Sequence, residues 1–310
     1  MTKPRQPSAG VVAEVLRAVD PGLRLVASRP LTGGVSAQLT EIEAAQPDGQ
    51  VERLVLRQYG AANLRSDPRV AAHEYALLSL LRTAGLPVPR PRLVDEASLV
   101  LPVPYLVIDY VDGTPLIELA QVSQPLAAFT GKLAGALARL HQAAFTLADA
   151  PFLADIRDLS ARTVSTRPAR LDEALREAEV RAALTRCWPP PRVNRPVLLH
   201  GDYWPGNTLW RDNELVCVID WEDAVLGDPL ADLGVARMEL CMAFGMAAAD
   251  DFTRQYRELR PAADVTALQH WDLYAALRHA GRMTGWGLPA ADLARLQSGH
   301  REFVASLLGA

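Results

Sequence analysis

Apolar residues recur along this chain with two different periods, and the change from one period to the other divides it. Val11, Val12, Val15, Leu16 and Val19 fall on one face of a helix over residues 8–19, which the pair Pro21-Gly22 ends. Residues 23–29 then alternate, Gly33-Gly34 marks a turn, residues 38–44 alternate again, and Pro47-Asp48-Gly49 leads into residues 51–59. Alternation broken by such turns predicts three antiparallel strands. Over 68–84, Val70, Tyr75, Leu77, Leu78 and Leu81 return to helical spacing, and Gly85, Pro87 and Pro89 stop that helix. Two further strands are expected at 92–95 and 105–110.

From Asp112-Gly113-Thr114-Pro115 onward the chain is rich in Ala and Leu and mainly helical, with strand candidates only at 197–199, 208–211 and 215–219. No repeat of 20 to 50 residues is visible, so this is not a solenoid. The pattern implies an α+β chain, with a small sheet domain over 1–111 and a larger helical one over 112–310.

Composition narrows the classes. The chain has 310 residues, 49% hydrophobic and 22% charged, an ordinary globular composition. Its net charge of -4 lacks the basic footprint of a nucleic-acid binder, so no nucleic-acid partner is expected. The longest apolar stretches are cut short, one by Pro102 and Pro104 and one at Asp250. Both fall below the roughly 20 residues of a membrane span. The first residues show no apolar signal core, so a cytoplasmic location without membrane attachment is expected. Cys187, Cys217 and Cys241 are odd in number, widely spaced and set among apolar residues, which suggests reduced core thiols. Of 32 basic residues only Lys3 and Lys132 are lysines, leaving 30 arginines. No pattern specifies an oligomeric state.

Charge divides unevenly. Residues 1–113 hold 12 basic and 12 acidic side chains, so the remainder carries the whole excess, and residues 202–250 hold 2 basic against 10 acidic. Such density fits either a solvated helix face or a site for a divalent cation or cationic ligand.

Within that region His200-Gly201-Asp202-Tyr203-Trp204-Pro205-Gly206-Asn207 follows an apolar strand. A hairpin turning at Asp212-Asn213 then delivers Ile219-Asp220-Trp221-Glu222-Asp223. Asp202, Asn207 and Asp220 can thus converge at one end of the hairpin. One carboxylate to orient a hydroxyl and take its proton, with two oxygen donors for magnesium on nucleotide phosphates, suits phosphoryl transfer.

The octapeptide at 200–207 resembles the catalytic loop of the aminoglycoside phosphotransferases and choline kinases, the protein-kinase-like small-molecule kinases. Ile219-Asp220 resembles their metal-binding loop, in the right order and spacing. The resemblance spans roughly residues 23 to 240. It implies a bilobal protein-kinase-like fold and ATP, with GTP as the alternative nucleotide, bound with Mg2+. It further implies that Asp202 is the catalytic carboxylate and that Asn207 and Asp220 are the metal ligands.

Upstream, Thr32-Gly33-Gly34-Val35-Ser36 stands where the family's glycine turn approaches the phosphates, so Gly33, Gly34 and Ser36 become nucleotide candidates; hairpin glycines are the competing reading. The family's third-strand lysine is here Arg57, longer, planar and able to grip phosphate with two donors. Glu74 on the following helix is its expected partner, unless it is a solvated helix residue. Residues 106–113 resemble the linker between lobes, where the Asp109 carbonyl and Val111 amide would contact adenine with Ile108 behind the base. Asp228 and Asp232 would brace the catalytic loop and cap a helix, and His200 would pack beneath that loop.

The implied partner is a small molecule presenting a hydroxyl near Asp202. Trp204, Glu222, Asp223 and Trp271 are the acceptor-binding candidates, from a wider set of rings and carboxylates that includes Glu239 and Trp286; rings beside carboxylates suit cations, and the same tryptophans also fit a role as core and surface anchors. Two other functions stand beside the kinase. One is a nucleotide-binding module of weak activity, suggested by Arg57. The other is a metal-dependent phosphoesterase using His200, Asp202 and Asp220, which leaves Arg57 and the 106–113 linker unexplained. A P-loop is excluded, because Gly131-Lys132 lacks the earlier glycine and the following Ser or Thr.

Overall fold

The alternating segments of the first hundred residues build one antiparallel sheet. The computed structural model describes residues 4–31, 37–119, 126–145 and 148–309, and the chain divides into two compact units, Met1–Asp112 and Gly113–Ala310.

In the first unit, α1 (Ala9–Val19) precedes β1 (Arg24–Pro30), β2 (Ala37–Ala45) and β3 (Val51–Tyr59). A short α2 (Ala61–Ser66) leads to α3 (Val70–Thr83), followed by β4 (Pro91–Asp95) and β5 (Tyr105–Asp109). The sheet order is β1-β2-β3-β5-β4. Val12, Val15 and Leu16 of α1 meet Ile42, Ala44, Leu54, Leu56, Tyr105 and Val107 of the sheet in one buried cluster. That cluster is the period-3.6 face of a helix laid on the period-2 face of a sheet. α3 ends as its sequence signals foretell, with the Leu86 N–H returning to the Leu81 carbonyl at 3.0 Å around Gly85, after which Pro87 and Pro89 forbid further helix.

The second unit opens with β6 (Thr114–Pro115), α4 (Leu116–Leu119), α5 (Ala127–Gln142), α6 (Ile156–Ser165) and α7 (Glu177–Cys187). Next come β7 (Val197–Leu199), β8 (Thr208–Arg211), β9 (Glu214–Val218) and β10 (Val225–Gly227). It closes with α8 (Leu230–Phe244), α9 (Met246–Leu259), α10 (Leu268–Arg278) and α11 (Ala290–Leu308). β8 and β9 form the expected hairpin, whose turn residues Asp212 and Asn213 both have positive φ (51° and 63°), as a two-residue turn matched to strand twist requires. β6 joins this hairpin and β10 pairs with β7; these two- and three-residue strands left no alternation to detect in the sequence.

α8 is buried on nearly every side, packed by α9, α10 and α11, so its sequence carries no polar stripe. Close approach is achieved with glycine: a Cβ on Gly234 would lie 2.8 Å from the Trp271 carbonyl carbon of α10, and one on Gly299 of α11 would lie 2.6 Å from the Met242 Cα. All three cysteines are free thiols; Cys217 and Cys241 are buried, Cys187 half-buried. Among the described residues no helix is long and apolar enough to cross a membrane.

The α8–α10 crossing yields a test. Gly234→Ala drives a methyl into backbone and should destabilise the protein by about 1–3 kcal/mol. In Gly135→Ala, by contrast, the added Cβ on α5 meets nothing within 4 Å, and better helix propensity should stabilise by roughly 0.5–1 kcal/mol. Urea midpoints moving in opposite directions for the two variants check this.

Candidate active site

β7 hands the chain to the loop 200–207, and a single carboxylate receives it there. Asp232, in the first turn of α8 and wholly buried, accepts the His200 N–H at 2.7 Å and the Gly201 N–H at 2.8 Å, one on each oxygen. His141 of α5 adds a third contact at 3.2 Å through Nε2, and its Nδ1 lies 2.7 Å from the Tyr256 hydroxyl. Nε2–H therefore donates to Asp232 while Nδ1 accepts from Tyr256, a tautomer assigned from the network. Burial acts to raise the Asp232 pKa, but the hydrogen bond from His141, with His200 and its N–H, outweighs it and holds the carboxyl below its ordinary value. Asp228 caps the same helix, accepting the Leu230 N–H and the Asn194 amide, both at 3.0 Å.

His200 ties the loop to its neighbour. Its Nε2–H reaches the Ile219 carbonyl at 2.9 Å and its Nδ1 accepts the Asp202 N–H at 3.2 Å, while its ring lies 4.6 Å from that of Trp221. Burial lowers its pKa, so it is a neutral strut. With both ring nitrogens committed, it supplies no metal ligand, which removes the ligand on which the phosphoesterase reading depends. Gly201 turns the loop with φ 80°, and a Cβ there would sit 1.9 Å from the Asp223 carbonyl oxygen; no other residue type fits.

Asp202 and Asn207 come together. The Asn207 amide donates to the Asp202 carbonyl at 3.0 Å and to its Oδ2 at 3.2 Å, which turns the Asn207 oxygen away from Asp202. The Asn207 carbonyl accepts the Ile219 N–H at 2.9 Å, so the residue preceding Asp220 is fastened to the same loop. Asp220 follows with φ 65°, an uncommon left-handed conformation that Asp tolerates better than most side chains. The Asp202 side chain keeps 32% of its surface exposed. Burial nonetheless pushes its carboxyl up to about 7, against the pull of Arg278 and with the help of Glu239, Asp223 and Asp220. A carboxylate poised near neutrality and open on one side can accept a proton from a hydroxyl. Among the described residues no group of three or more His, Cys, Asp or Glu side chains is arranged for a metal ion. One carboxylate and one carboxamide oxygen fit a magnesium that shares its remaining positions with phosphate.

Arg278 was not singled out from the sequence. This last residue of α10 donates to the Gly201 carbonyl at 2.6 Å, and its Nη2 lies 3.5 Å from Asp202 Oδ1 and 3.8 Å from Asp223 Oδ2. An arginine in a last helical turn normally just complements the helix dipole, so its sequence position carries no signal.

The acceptor candidates separate. Trp204 is half-buried, its ring packed so closely over the loop that a Cβ on Gly206 would come within 2.2 Å of it. Glu222 is half-buried and Asp223 exposed. Trp271 does not belong with them: it is fully buried, with Trp188 and Tyr274 edge-on at 5.7 and 5.8 Å. α10 buries every position from 271 to 277, so the ring has no route to a ligand. Trp286 is partly exposed beside His279, which pairs with Glu239 at 2.7 Å.

In the first unit Arg57 and Glu74 lie together and buried, Nε to Oε2 at 3.4 Å, with the Tyr59 hydroxyl donating to the same oxygen at 2.7 Å. Arg57 faces Leu39 of β2 and Leu106 of β5 on the central strand. The segment after β5 is tied to β3 through the Tyr110 N–H to the Arg53 carbonyl at 3.0 Å, through Arg53 stacked on Tyr110 at 3.6 Å, and through the Arg53–Asp112 ion pair. The Asp109 side chain is engaged by Arg92 at 2.8 Å. Among the described residues no backbone partner is taken by the Val111 N–H. Gly33, Gly34 and Ser36 lie outside the described residues.

A five-stranded sheet with a buried cation–carboxylate pair, and a helical unit holding an Asp/Asn loop beside a second Asp-bearing loop, are the parts of a protein-kinase-like α+β fold. Solved structures share it. A macrolide 2'-phosphotransferase from Brachybacterium faecium aligns over 93% of this chain and 97% of its own at TM-score 0.61 and 22% identity. The GDP and kanamycin complex of APH(2")-IIia aligns over 95% and 98%, at TM-score 0.66 and 21% identity. A curated mouse relative, acyl-CoA dehydrogenase family member 10, is 27% identical over 227 residues, 70% of this chain, and the match spans only 20% of that protein's length. The profile of the phosphotransferase enzyme family matches residues 28–271. The chain belongs to this family.

The Asp232 anchor generates a prediction. Asp232→Asn keeps the shape but leaves one acceptor oxygen for two loop N–H groups, and a buried N–H without a partner costs about 1–3 kcal/mol. The variant should show that loss in urea unfolding at pH 7. Because the native Asp232 pKa is lowered, its contribution is present above the unfolded value of 3.8 and is lost as pH falls through the native value, so the gap between wild type and variant should narrow in acid.

Proposed function

We propose that this protein transfers the γ-phosphoryl group of ATP to a hydroxyl of a small polar molecule. The observation that carries the reading is the Asp202 carboxylate, raised toward neutrality and held by Asn207 in a loop fastened to the residue before Asp220. Asp202 orients the acceptor hydroxyl and takes its proton as the oxygen attacks the γ-phosphorus. The bond from that phosphorus to the β,γ-bridging oxygen breaks, and ADP and a phosphomonoester leave.

Asn207, through its side-chain oxygen, and Asp220 would hold magnesium. When bound, the ion neutralises charge on the phosphate oxygens and the departing ADP. In the first unit Arg57, steadied by Glu74, would pair the nucleotide phosphates with its planar fork, and Gly33, Gly34 and Ser36 would approach them with backbone. The Asp109 carbonyl and the Val111 N–H would read adenine, which leaves GTP as a second nucleotide to be tested.

For the acceptor, the charges acting on Asp202 are informative. Among the described residues that act on it, Asp220, Asp223 and Glu239 are acidic and Arg278 opposes them, which supports a cationic or neutral molecule over an anionic one, with Trp204, Glu222 and Asp223 at hand to contact it. A magnesium-dependent ADP-release screen tests this. Its arms are kanamycin, a macrolide, choline and amino sugars, with a hydroxy acid as the anionic arm. Turnover of the anionic arm alone would overturn the charge argument. Binding of ATP with no turnover in any arm would favour the weak-module reading.

Two variants probe the assignments. Asp202→Asn should lower turnover by about 100- to 10,000-fold with nucleotide affinity nearly intact; unchanged turnover would remove Asp202 from the mechanism. Asp220→Ala should abolish the magnesium-dependent part of nucleotide affinity in calorimetric titrations with and without the metal, whereas Glu222→Ala should leave it in place. Equal losses in the two would mean that the ligand is the wrong carboxylate.

A further inference from the structure

We propose that Arg278 is a positioning residue that locks the Asp202 carboxylate in its reacting orientation, an inference that rests on the phosphotransferase reading. Asp202 stands in an irregular loop among acidic neighbours, and Asn207 holds only its Oδ2, at 3.2 Å. A single hydrogen bond leaves the carboxylate free to rotate, and repulsion from Asp220, Asp223 and Glu239 would turn it. Arg278 supplies the opposite restraint, 3.5 Å from Oδ1. The same guanidinium donates at 2.6 Å to the carbonyl of Gly201, the residue immediately before Asp202. Backbone and carboxylate are thereby referenced to one rigid plane, which the single ammonium of a lysine cannot do.

The anchor is itself held. Arg278 ends α10 with its side chain only 18% exposed, and burial, which acts to lower its pKa, is outweighed by Asp202, Tyr274, Asp223 and Glu239, so it stays charged. The next residue, His279, contacts Glu239 of α8 at 2.7 Å. α8 also carries Asp232, so the loop's backbone and its carboxylate are fixed from two helices that are themselves joined at this point.

The test is a double-mutant cycle on the full chain. Wild type, Arg278→Met, Arg278→Lys, Asp202→Asn and the double variant Arg278→Met/Asp202→Asn are compared by ADP release with magnesium and ATP, using water and the acceptor panel above. Affinity for N-methylanthraniloyl-ATP and thermal unfolding are measured in parallel. Arg278→Met should lower turnover on the order of 100-fold, the cost of about 1 Å of misplacement. Arg278→Lys should lose less, and analogue affinity should hold. The double variant should be no slower than Asp202→Asn alone, because the two residues act as a unit. Wild-type turnover in Arg278→Met, losses that multiply in the double variant, or a KM effect on the acceptor with unchanged kcat would each overturn the proposal. If Arg278→Met does not fold, Arg278→Lys carries the test, and a full wild-type rate in it is a refutation. A wild-type protein that releases no ADP overturns the phosphotransferase reading, and this inference with it; variants at wild-type rate overturn the inference alone.

Discussion

Two consecutive N–H groups ending on one buried carboxylate are the constraint from which the second unit's chemistry follows. A loop that must leave an acid exposed cannot satisfy its own backbone with strand or helix bonds, and unpaired N–H groups in an interior are costly. Asp232 takes both, one per oxygen, and is kept ionised in the interior by His141. The His141–Tyr256 contact extends the support from α5 to α9. What the helical layer secures is first the position of a loop, and with it the position of Asp202, whose carboxylate Arg278 of α10 also meets.

Charge is managed differently in the two units. In the first, a buried cation on β3 is matched by one carboxylate on α3, which a tyrosine hydroxyl helps to satisfy, and all three side chains are buried. In the second, burial raises the proton affinity of Asp202, and the carboxylates of Glu239, Asp223 and Asp220 add to it against Arg278. Taking charge out of water is expensive, so each arrangement depends on the opposite charge set beside it. The first favours fixed geometry at a strand; the second favours a group that can change protonation state.

The legible parts of the fold were those with a period. α1, β2 and α3 bury residues at the spacing of a helix or a strand, and that spacing exposed them; β6 and β10 are too short to show any pattern, and α8 is covered all round. In the site, Asp202, Asn207 and Asp220 were readable because they lie close together in sequence around a hairpin whose turn residues are unmistakable. Arg278 comes from a helix 76 positions beyond Asp202, and nothing local distinguishes it from a helix-terminal arginine. Trp271 misled for the complementary reason: a ring among carboxylates in sequence was a ring inside a helix packing in space. Residue type indicates what a side chain is able to do, whereas packing decides whether it has an outlet.

The scarcity of lysine has a practical consequence. Only Lys3 and Lys132 carry side-chain amines, and Lys132 is already engaged by the Asn213 carbonyl at 2.6 Å and by Glu214 at 2.5 Å across the β8–β9 turn. Residue 57 carries a guanidinium, so reagents that acylate amines find no target there. Amine cross-linkers and acetylating enzymes meet an almost blank surface on the same account. Chemical mapping of this molecule therefore has to run through its arginines and carboxylates, and a silent result from amine chemistry would report its composition, not a missing nucleotide or a misfolded chain.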